Sequence, residues 1–233
     1  MEISLFLEKN DATQATQAIE FTVDRMVNAG FTGRDQDEVQ HHLDELSAKG
    51  IDVPDSTPLL YPVIPNTLSV APEIQVYGGE TAGEIEYVLF VKNETEIYVG
   101  IGSDHTDRKL EEHDIPRAKQ ITPNLISPLV WKLEDVADHW DSLSMECSVK
   151  KDHEEFLYQR GSLGLLMSPK ELLTFVSEKV EGPLKNIVIF SGTVKMETEA
   201  FVYADSFSGK LIDPKLNRCI GFDYKIKPLD YMV

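Results

Sequence analysis

The stretch GEIEYVLFV, residues 83–91, constrains the fold most, because it predicts a buried strand that opens with two carboxylates. Residues 87–91 are consecutive β-forming side chains, and such a run is typical of a strand. Glu84 and Glu86 are two positions apart, so their side chains point to the same face of that strand. Like charges this close repel each other, and burial strengthens the repulsion. The fold must therefore supply something that compensates these two acids.

The rest of the chain predicts many strands and two clear helices. Residues 19–31 alternate well enough for one or two strand segments. A helix is predicted over residues 35–50 with Asp35 as its N-cap, because apolar positions recur there at helical spacing. A second helix, capped by Ser168, is predicted over residues 168–182. Since strands and helices do not alternate regularly, we expect a mixed α/β, β-rich fold.

Five prolines interrupt residues 51–74, at positions 54, 58, 62, 65 and 72. Proline removes a backbone donor and restricts the residue before it, so this segment predicts an extended surface connector without regular structure. The connector divides the chain into a predicted N-terminal region, residues 1–72, and a predicted core, residues 73–233. The N-terminal region contains the first helix and the connector itself.

Charge and composition argue against several classes of partner. The 233 residues carry a net charge of −18, which disfavours nucleic acid and anionic membrane surfaces. Residues 1–11 contain acids and only a short apolar run, so we expect no signal peptide. We also expect no spanning helix, since no apolar stretch approaches the roughly 20 residues that one needs. Cys147 and Cys219 have no paired spacing, which favours a reduced, cytoplasmic setting.

A divalent cation between Glu84 and Glu86 would make their closeness favourable, since hard cations prefer oxygen ligands. The strongest candidate for a third ligand is Asp104, in the glycine-flanked turn GIGSDHTDR at residues 100–108. Two plainer interpretations stay open on the residues alone. The acid pair is also typical of a solvated strand edge, and the turn is also typical of a capped surface turn.

Six short motifs follow one another between residues 31 and 195. They are GRD at 33–35, HLDE at 42–45, EIE at 84–86, SDHTDR at 103–108, AKQ at 118–120 and SGT at 191–193. Their order resembles that of the fumarylacetoacetate hydrolase superfamily. The stretches TAGEIEYVLFV, VGIGSDHTDR, VADHW and YQRGSLG are similar more specifically to a bacterial branch of it, the DUF2848 proteins. The resemblance implies that residues 73–233 form a catalytic core like that superfamily's C-terminal domain, with β-rich mixed sheets and few helices.

The resemblance also implies a function. Glu84, Glu86 and Asp104 would bind Mg²⁺ or Mn²⁺, and a small oxo-carboxylate substrate would chelate the cation. The implied reaction is hydrolysis of a C–C bond in an acylpyruvate or related 1,3-dioxo acid through a metal-bound enolate. The alternatives are decarboxylation, isomerisation or hydration of a 2-oxo acid, and ligand binding without catalysis. A homodimer is implied as well.

Further residues take roles by the same resemblance. His42 would act as a general base, and Glu45, about one helical turn away, would orient it. Glu45 could equally pair with Lys49. Lys119 would stabilise negative charge that develops on the substrate. Substrate contacts would come from Arg108, Thr193 and Arg34.

Each of these residues also has a structural interpretation. His42 lies on the apolar stripe of its helix and could belong to the core, in which case His41 would be the functional histidine. Lys119 could be a surface lysine, and Arg108 could simply pair with a nearby acid. Thr193 could belong to a common strand-end turn. Four other histidines lack metal-like spacing and are expected to be structural: His105, His113, His139 and His153.

Overall fold

The structure is a computed structural model that describes residues 1–8, 16–48, 54 and 56–231, with the backbone alone for residues 42 and 45–48. Its strands are β1 (Glu2–Leu7), β2 (Gln17–Thr22), β3 (Arg25–Gly30), β4 (Leu59–Val63), β5 (Leu68–Ser69), β6 (Glu73–Val76), β7 (Thr81–Ala82), β8 (Ile85–Val91), β9 (Ile97–Asp104), β10 (Thr106–Asp107), β11 (Asn124–Ile126), β12 (Leu129–Lys132), β13 (Ser144–Lys151), β14 (Glu154–Ser162), β15 (Ile187–Phe190), β16 (Ser206–Asp213) and β17 (Arg218–Pro228). Its α-helices are α1 (Gln36–Ala48), α2 (Arg108–Glu111), α3 (Ile115–Ala118) and α4 (Pro169–Lys179). Short 3₁₀ helices span Pro65–Thr67, Leu133–Asp135, Ala137–Ser142 and Leu163–Leu165.

Most of these strands belong to two sheets. Ten strands form the larger sheet, along the path β2-β1-β12-β9-β8-β15-β3-β4, with β11 pairing to β9 and β5 pairing to β11. A five-stranded sheet has the order β14-β13-β16-β17-β6, and β7 and β10 form a separate pair. This architecture confirms the predicted β-rich, mixed α/β fold with few helices.

Strand β8 lies inside the larger sheet, between β9 and β15, and all of its residues are buried. On one face Tyr87 belongs to the core that the two large sheets share, together with Phe207 of β16. On the other face Phe90 packs edge-on against Phe21, with ring centroids 5.7 Å apart. Fully burying a side chain of this kind contributes about 1.5–3 kcal/mol. Because both faces are covered, residues 87–91 of β8 form a continuous apolar run rather than an alternating one.

Strands from the predicted N-terminal region belong to the same sheet as β8 and β9. The segment 19–31 forms two strands, β2 and β3, as one of the two predicted options. Strand β1 pairs in parallel with β12, and β3 pairs in parallel with β15. Strands that precede residue 72 therefore pair with strands that follow it. The division into regions 1–72 and 73–233 stays a prediction about domains.

The proline-rich segment is more regular than its sequence indicates. Residues 59–63 form strand β4, which pairs antiparallel with β3 and places Pro62 opposite Val27. The prediction of a connector without regular structure is therefore wrong at this strand. Strand β4 is at an edge of the sheet, where a proline's missing N–H does not interrupt a second ladder.

Both predicted helices form near their predicted bounds. The Asp35 carboxylate accepts hydrogen bonds from the backbone N–H groups of Asp37 and Glu38, each at 3.1 Å, and so caps α1. Ser168 and Glu171 form a reciprocal capping box at the start of α4. No helix in the described ranges is both long and apolar enough to cross a membrane.

Candidate metal centre

Strands β8 and β9 bring three carboxylates together. Glu84, just before β8, exchanges backbone hydrogen bonds of 3.2 and 3.0 Å with Asp104 at the end of β9. Paired residues on antiparallel strands share a face, and so do Glu84 and Glu86 because they are two residues apart. One carboxylate oxygen from each of the three residues lies within 4.8 Å of the others. We call Glu84, Glu86 and Asp104 the carboxylate triad.

Two buried cations lie against the triad. The Lys119 Nζ atom is 2.5 Å from Oδ2 of Asp104 and 3.9 Å from Oε1 of Glu111. The Arg108 Nη1 atom is 2.7 Å from Oε2 of Glu111 and 3.4 Å from Oε1 of Glu84. When all of these groups are ionised, four carboxylates face two cations, a net charge of −2. An all-oxygen donor set with that charge fits one hard divalent cation.

The protonation preferences of the triad differ between its members. Burial and the charge of Asp104 raise the pKa of Glu86 well above its usual value of 4.5. Burial also raises the pKa of Glu84, although Arg108 opposes it. Burial acts in the same direction on Asp104, but Lys119 outweighs it and holds the pKa of Asp104 below 3.8. Without a cation, Glu86 is therefore the member that most favours its protonated form.

Lys119 and Arg108 are permanent cations in this setting. Burial acts to lower the pKa of Lys119, but the neighbouring carboxylates, Asp104 first, raise it above 10.5. The pKa of Arg108 is raised for the same reason, with Glu84 as the largest contributor. Lys119 is therefore suited to balance negative charge and is not suited to accept a proton near neutral pH.

Neighbouring groups fix the orientation of the triad. The backbone N–H of Gly192 donates a hydrogen bond of 2.8 Å to Oε2 of Glu86, and the hydroxyl of Thr106 donates one of 3.1 Å to Oδ1 of Asp104. Gly192 has φ +84°, a conformation that glycine adopts without strain. Hydrogen bonds of this kind orient the ligands of a metal.

Gly102 allows the strands beneath the triad to pack closely. It lies opposite Glu86 in the β8–β9 ladder. A Cβ atom at this position would meet the Leu125 carbonyl oxygen at 2.5 Å and the Phe190 and Val88 side chains at 2.9 Å. The close packing of Phe190 and Val88 beneath the triad therefore requires a residue without a side chain at position 102.

His105, next to the triad in sequence, is a buried neutral residue. Its Nδ1 atom is 2.9 Å from the Tyr224 hydroxyl, and its Nε2 atom is 2.9 Å from the Thr81 hydroxyl. Burial lowers the pKa of His105 to about 3. These contacts agree with its interpretation as a structural histidine.

We expect His105 to make the protein less stable in acid. An unfolded histidine takes up a proton near pH 6.5, whereas the buried ring stays neutral down to about pH 3. Between these values the unfolded chain binds more protons than the folded protein. The contribution of His105 to the free energy of unfolding is therefore fully present above pH 6.5 and falls with the pH, by at most about 1.4 kcal/mol per pH unit. Urea unfolding in EDTA from pH 4 to 7 should show that the free energy of unfolding depends less steeply on pH for His105→Gln than for wild type. Equal slopes for wild type and variant would contradict this account.

Other predicted site residues have different partners. Arg34 binds Asp141 through two hydrogen bonds of 2.9 Å and the Leu166 carbonyl at 3.1 Å, on the wall of a groove of about 430 Å³. The triad is not among these contacts. The hydroxyl of Thr193 donates to the Ile85 carbonyl at 2.6 Å, so its proton is already in use. The side chains of His42 and Glu45 lie outside the described part of the structure, and their roles stay predictions.

Sequence reasoning missed several residues around the triad. Glu111 joins the two cations, and Asn28 and Asn124 lie beside Asp104. The Tyr61 ring lies beneath Lys119, with Nζ 5.8 Å from its centroid. Only Asn28 had a usable signal, since it is a polar residue within the buried strand RMVNAG. Glu111 reaches the site through short-range pairs with Arg108 and Lys119, whereas Asn124 and Tyr61 approach it through contacts far apart in the chain.

Lys119→Met should destabilise the metal-free protein by about 3 kcal/mol, because it leaves buried carboxylates without their cation. Added Mn²⁺ should restore part of the lost stability, since it compensates the same charge. Urea unfolding with EDTA and then with Mn²⁺ measures both effects. Lys109→Met, which changes an exposed lysine on the neighbouring helix, is the control. An equal loss in the two variants would show that Lys119 does not balance the triad.

The comparisons with known proteins identify the family. The model of the family "Protein of unknown function (DUF2848)" matches residues 29–224, most of the chain. No curated protein matches the chain. Among solved structures, yeast ynq8, a fumarylacetoacetate hydrolase family protein, superposes with a TM-score of 0.60 at 16% identity over 88% of this chain and 94% of its own.

Two further structures share the fold. A 2-keto-3-deoxy-D-arabinonate dehydratase complexed with magnesium and 2,5-dioxopentanoate gives a TM-score of 0.63 at 12% identity, over 94% of this chain and 79% of its own. Cg1458 with inhibitor gives 0.63 at 18% identity, over 92% and 81%. The chain therefore belongs to the DUF2848 family and has the fold of fumarylacetoacetate hydrolase family proteins.

Proposed function

We propose that this protein is a divalent-metal-dependent enzyme that hydrolyses a C–C bond in a small oxo-carboxylate, an acylpyruvate or related 1,3-dioxo acid. The observation that carries the proposal is the carboxylate triad, with Glu86 and Asp104 buried and Glu84 half-buried on one face of the sheet. Together with Glu111 the triad is short of two positive charges when all of these groups are ionised. The fold neighbour that is complexed with magnesium and a dioxo acid supports the same chemistry. Mg²⁺ and Mn²⁺ are the cations that this oxygen-rich donor set favours.

The triad would hold the cation, and the surrounding residues would prepare the site for an anionic substrate. When bound, the cation supplies positive charge that polarises two oxygens of an oxo-carboxylate. Lys119 holds a fixed positive charge beside Asp104, where it stabilises negative charge that develops on the substrate. Arg108 holds Glu84 and Glu111 in position through its guanidinium.

Hydrolysis also requires a water molecule and a base. The water oxygen bonds to the carbonyl carbon distal to the carboxylate, and the base takes a proton from it. The bond between that carbon and the neighbouring CH₂ then breaks, and the CH₂ carbon keeps the electron pair and takes up a proton. A 2-oxo acid and a carboxylic acid leave. His42 is the proposed base and Glu45 its orienting partner, since they lie about one turn apart on α1.

Dehydration or hydration of a 2-oxo acid is the second candidate, because a neighbour with the same fold is a dehydratase. Both candidates use the same cation site and differ in the substrate bond that breaks. Decarboxylation, isomerisation and ligand binding without catalysis have no separate observation in their favour. The homodimeric state and the cytoplasmic location also stay predictions.

An assay with a substrate panel tests the proposal. The protein is stripped with EDTA, titrated with Mn²⁺ by calorimetry, and assayed against acylpyruvates, hydroxylated 2-oxo acids and oxaloacetate. We expect one Mn²⁺ per chain and turnover that depends on it. Mn²⁺ binding without turnover of any member of the panel would favour a ligand-binding protein. Turnover that survives without metal would contradict the proposal.

A further inference from the structure

Two buried asparagines beside the triad have unused hydrogen-bonding atoms. Asn28 and Asn124 are completely buried, and Nδ2 of Asn28 donates a hydrogen bond of 2.9 Å to Oδ1 of Asn124. The Asn28 Oδ1 and Asn124 Nδ2 atoms have no partner among the residues that the structure describes. One hydrogen bond between two side-chain amides uses one NH₂ group and one oxygen, so the other oxygen and the other NH₂ group have no partner. This remains true if the oxygen and nitrogen positions of both amides are exchanged.

The asparagine pair lies on the same face of the sheet as the triad. Asn124 on β11 lies directly opposite Asp104 on β9, and residues opposite each other on antiparallel strands share a face. Asn28 on β3 lies opposite Phe190 on β15, which packs beneath Gly102 on the triad side of the sheet. The Asn28 side chain also contributes to lowering the pKa of the Asp104 carboxylate, as expected for a neighbouring amide donor. Both asparagine side chains therefore lie on the triad face of the sheet, beside Asp104.

The chemistry of these atoms specifies what they can bind. A buried polar atom without a partner costs about 1–3 kcal/mol, so a pair of them at a site favours a ligand that satisfies both. The pair offers one acceptor, Asn28 Oδ1, and one donor, Asn124 Nδ2. A ketone or carboxylate oxygen only accepts and would leave Asn28 Oδ1 without a partner. A hydroxyl group donates and accepts at once, so it satisfies both atoms.

We propose that Asn28 and Asn124 bind a hydroxyl group of the substrate, which makes the substrate a hydroxylated oxo-carboxylate. This inference rests on the proposed function, because the triad and its cation would hold the oxo-carboxylate end. The asparagine pair then selects for a hydroxyl further along the same molecule. It narrows the substrate class without choosing between hydrolysis and dehydration.

Calorimetry on the Mn²⁺-loaded protein tests this selectivity. The ligands are 4-hydroxy- and 5-hydroxy-2-oxopentanoate, each compared with 2-oxopentanoate, and oxalate serves as a reference without a hydroxyl. In wild type, at least one hydroxylated acid should bind about 10-fold tighter than 2-oxopentanoate. Asn124→Leu should abolish that preference and change the affinity for oxalate by less than about 2-fold. If the leucine variant does not fold, Asn124→Ala is smaller, lacks the donor and should lose the preference too.

The outcomes separate this inference from the proposed function. Binding of Mn²⁺ and oxalate without any preference for a hydroxylated acid overturns the inference and leaves the proposed function intact. Failure to bind Mn²⁺ overturns the proposed function and the inference with it. In a crystal of the complex, the ligand hydroxyl should lie between Asn28 Oδ1 and Asn124 Nδ2. An ordered water between them, with the hydroxyl elsewhere, would also overturn the inference.

Discussion

Glu86→Gln is expected to abolish divalent-metal binding and leave the fold intact. Glu86 is buried, and its carboxylate already accepts a hydrogen bond from the Gly192 N–H, a bond that a glutamine oxygen can keep. The substitution therefore removes one negative charge and one metal ligand with little change of shape. Loss of a supporting group near a metal costs 10- to 100-fold in affinity, so loss of a ligand should cost about 100-fold or more. Calorimetric titration with Mn²⁺ measures the loss.

The same variant should keep or gain stability in EDTA. Burial and the nearby Asp104 charge already favour the protonated form of Glu86, and glutamine resembles that neutral form. Thermal unfolding with EDTA should give a midpoint equal to or above that of wild type. Glu94→Gln, at an exposed position, is the matched control and should change neither property. Wild-type Mn²⁺ affinity in Glu86→Gln would show that the triad is not the metal site.

His42→Ala should lower turnover by about 10²–10⁴-fold if His42 is the general base. The expectation comes from spacing, since Glu45 follows His42 by about one turn on α1 and can orient an imidazole there. A base acts on the attacking water and not on the cation, so Mn²⁺ affinity should stay within about 2-fold. Steady-state assays beside Mn²⁺ titrations measure the two quantities separately.

His41→Ala is the matched control for this prediction. One residue along a helix turns the side chain by about 100°, so His41 and His42 do not share a face. We expect a small effect at His41, which is exposed. A large loss in His41→Ala with none in His42→Ala would assign the base to the other histidine.

The sequence predicts the triad because its members come from strands adjacent in the chain. Glu84 and Glu86 share a face through the period of a strand, and β9 folds back against β8 to bring Asp104 beside them. The apolar run of β8 indicates burial on both faces for the same local reason. The capped helices also follow from short-range rules, since Asp35 and Ser168 bond to backbone groups within three residues.

The rest of the site depends on contacts that local patterns do not encode. Asn28 and Asn124 meet across 96 residues, and Arg34 meets Asp141 across 107. Such pairings follow from the register of strands and from core packing, which decide strand partners more than local propensity does. The prolines near β4 led to the wrong prediction of a connector without regular structure. A strand tolerates Pro62 there because β4 is at an edge of the sheet, and local sequence does not show that position.

Anomalous diffraction from a crystal soaked with Mn²⁺ and oxalate tests the central claim most directly. We expect a Mn²⁺ peak within about 2.3 Å of a carboxylate oxygen from each of Glu84, Glu86 and Asp104. Oxalate should occupy further positions on the same cation. A crystal with Mn²⁺ at full occupancy elsewhere and none at the triad would contradict the account.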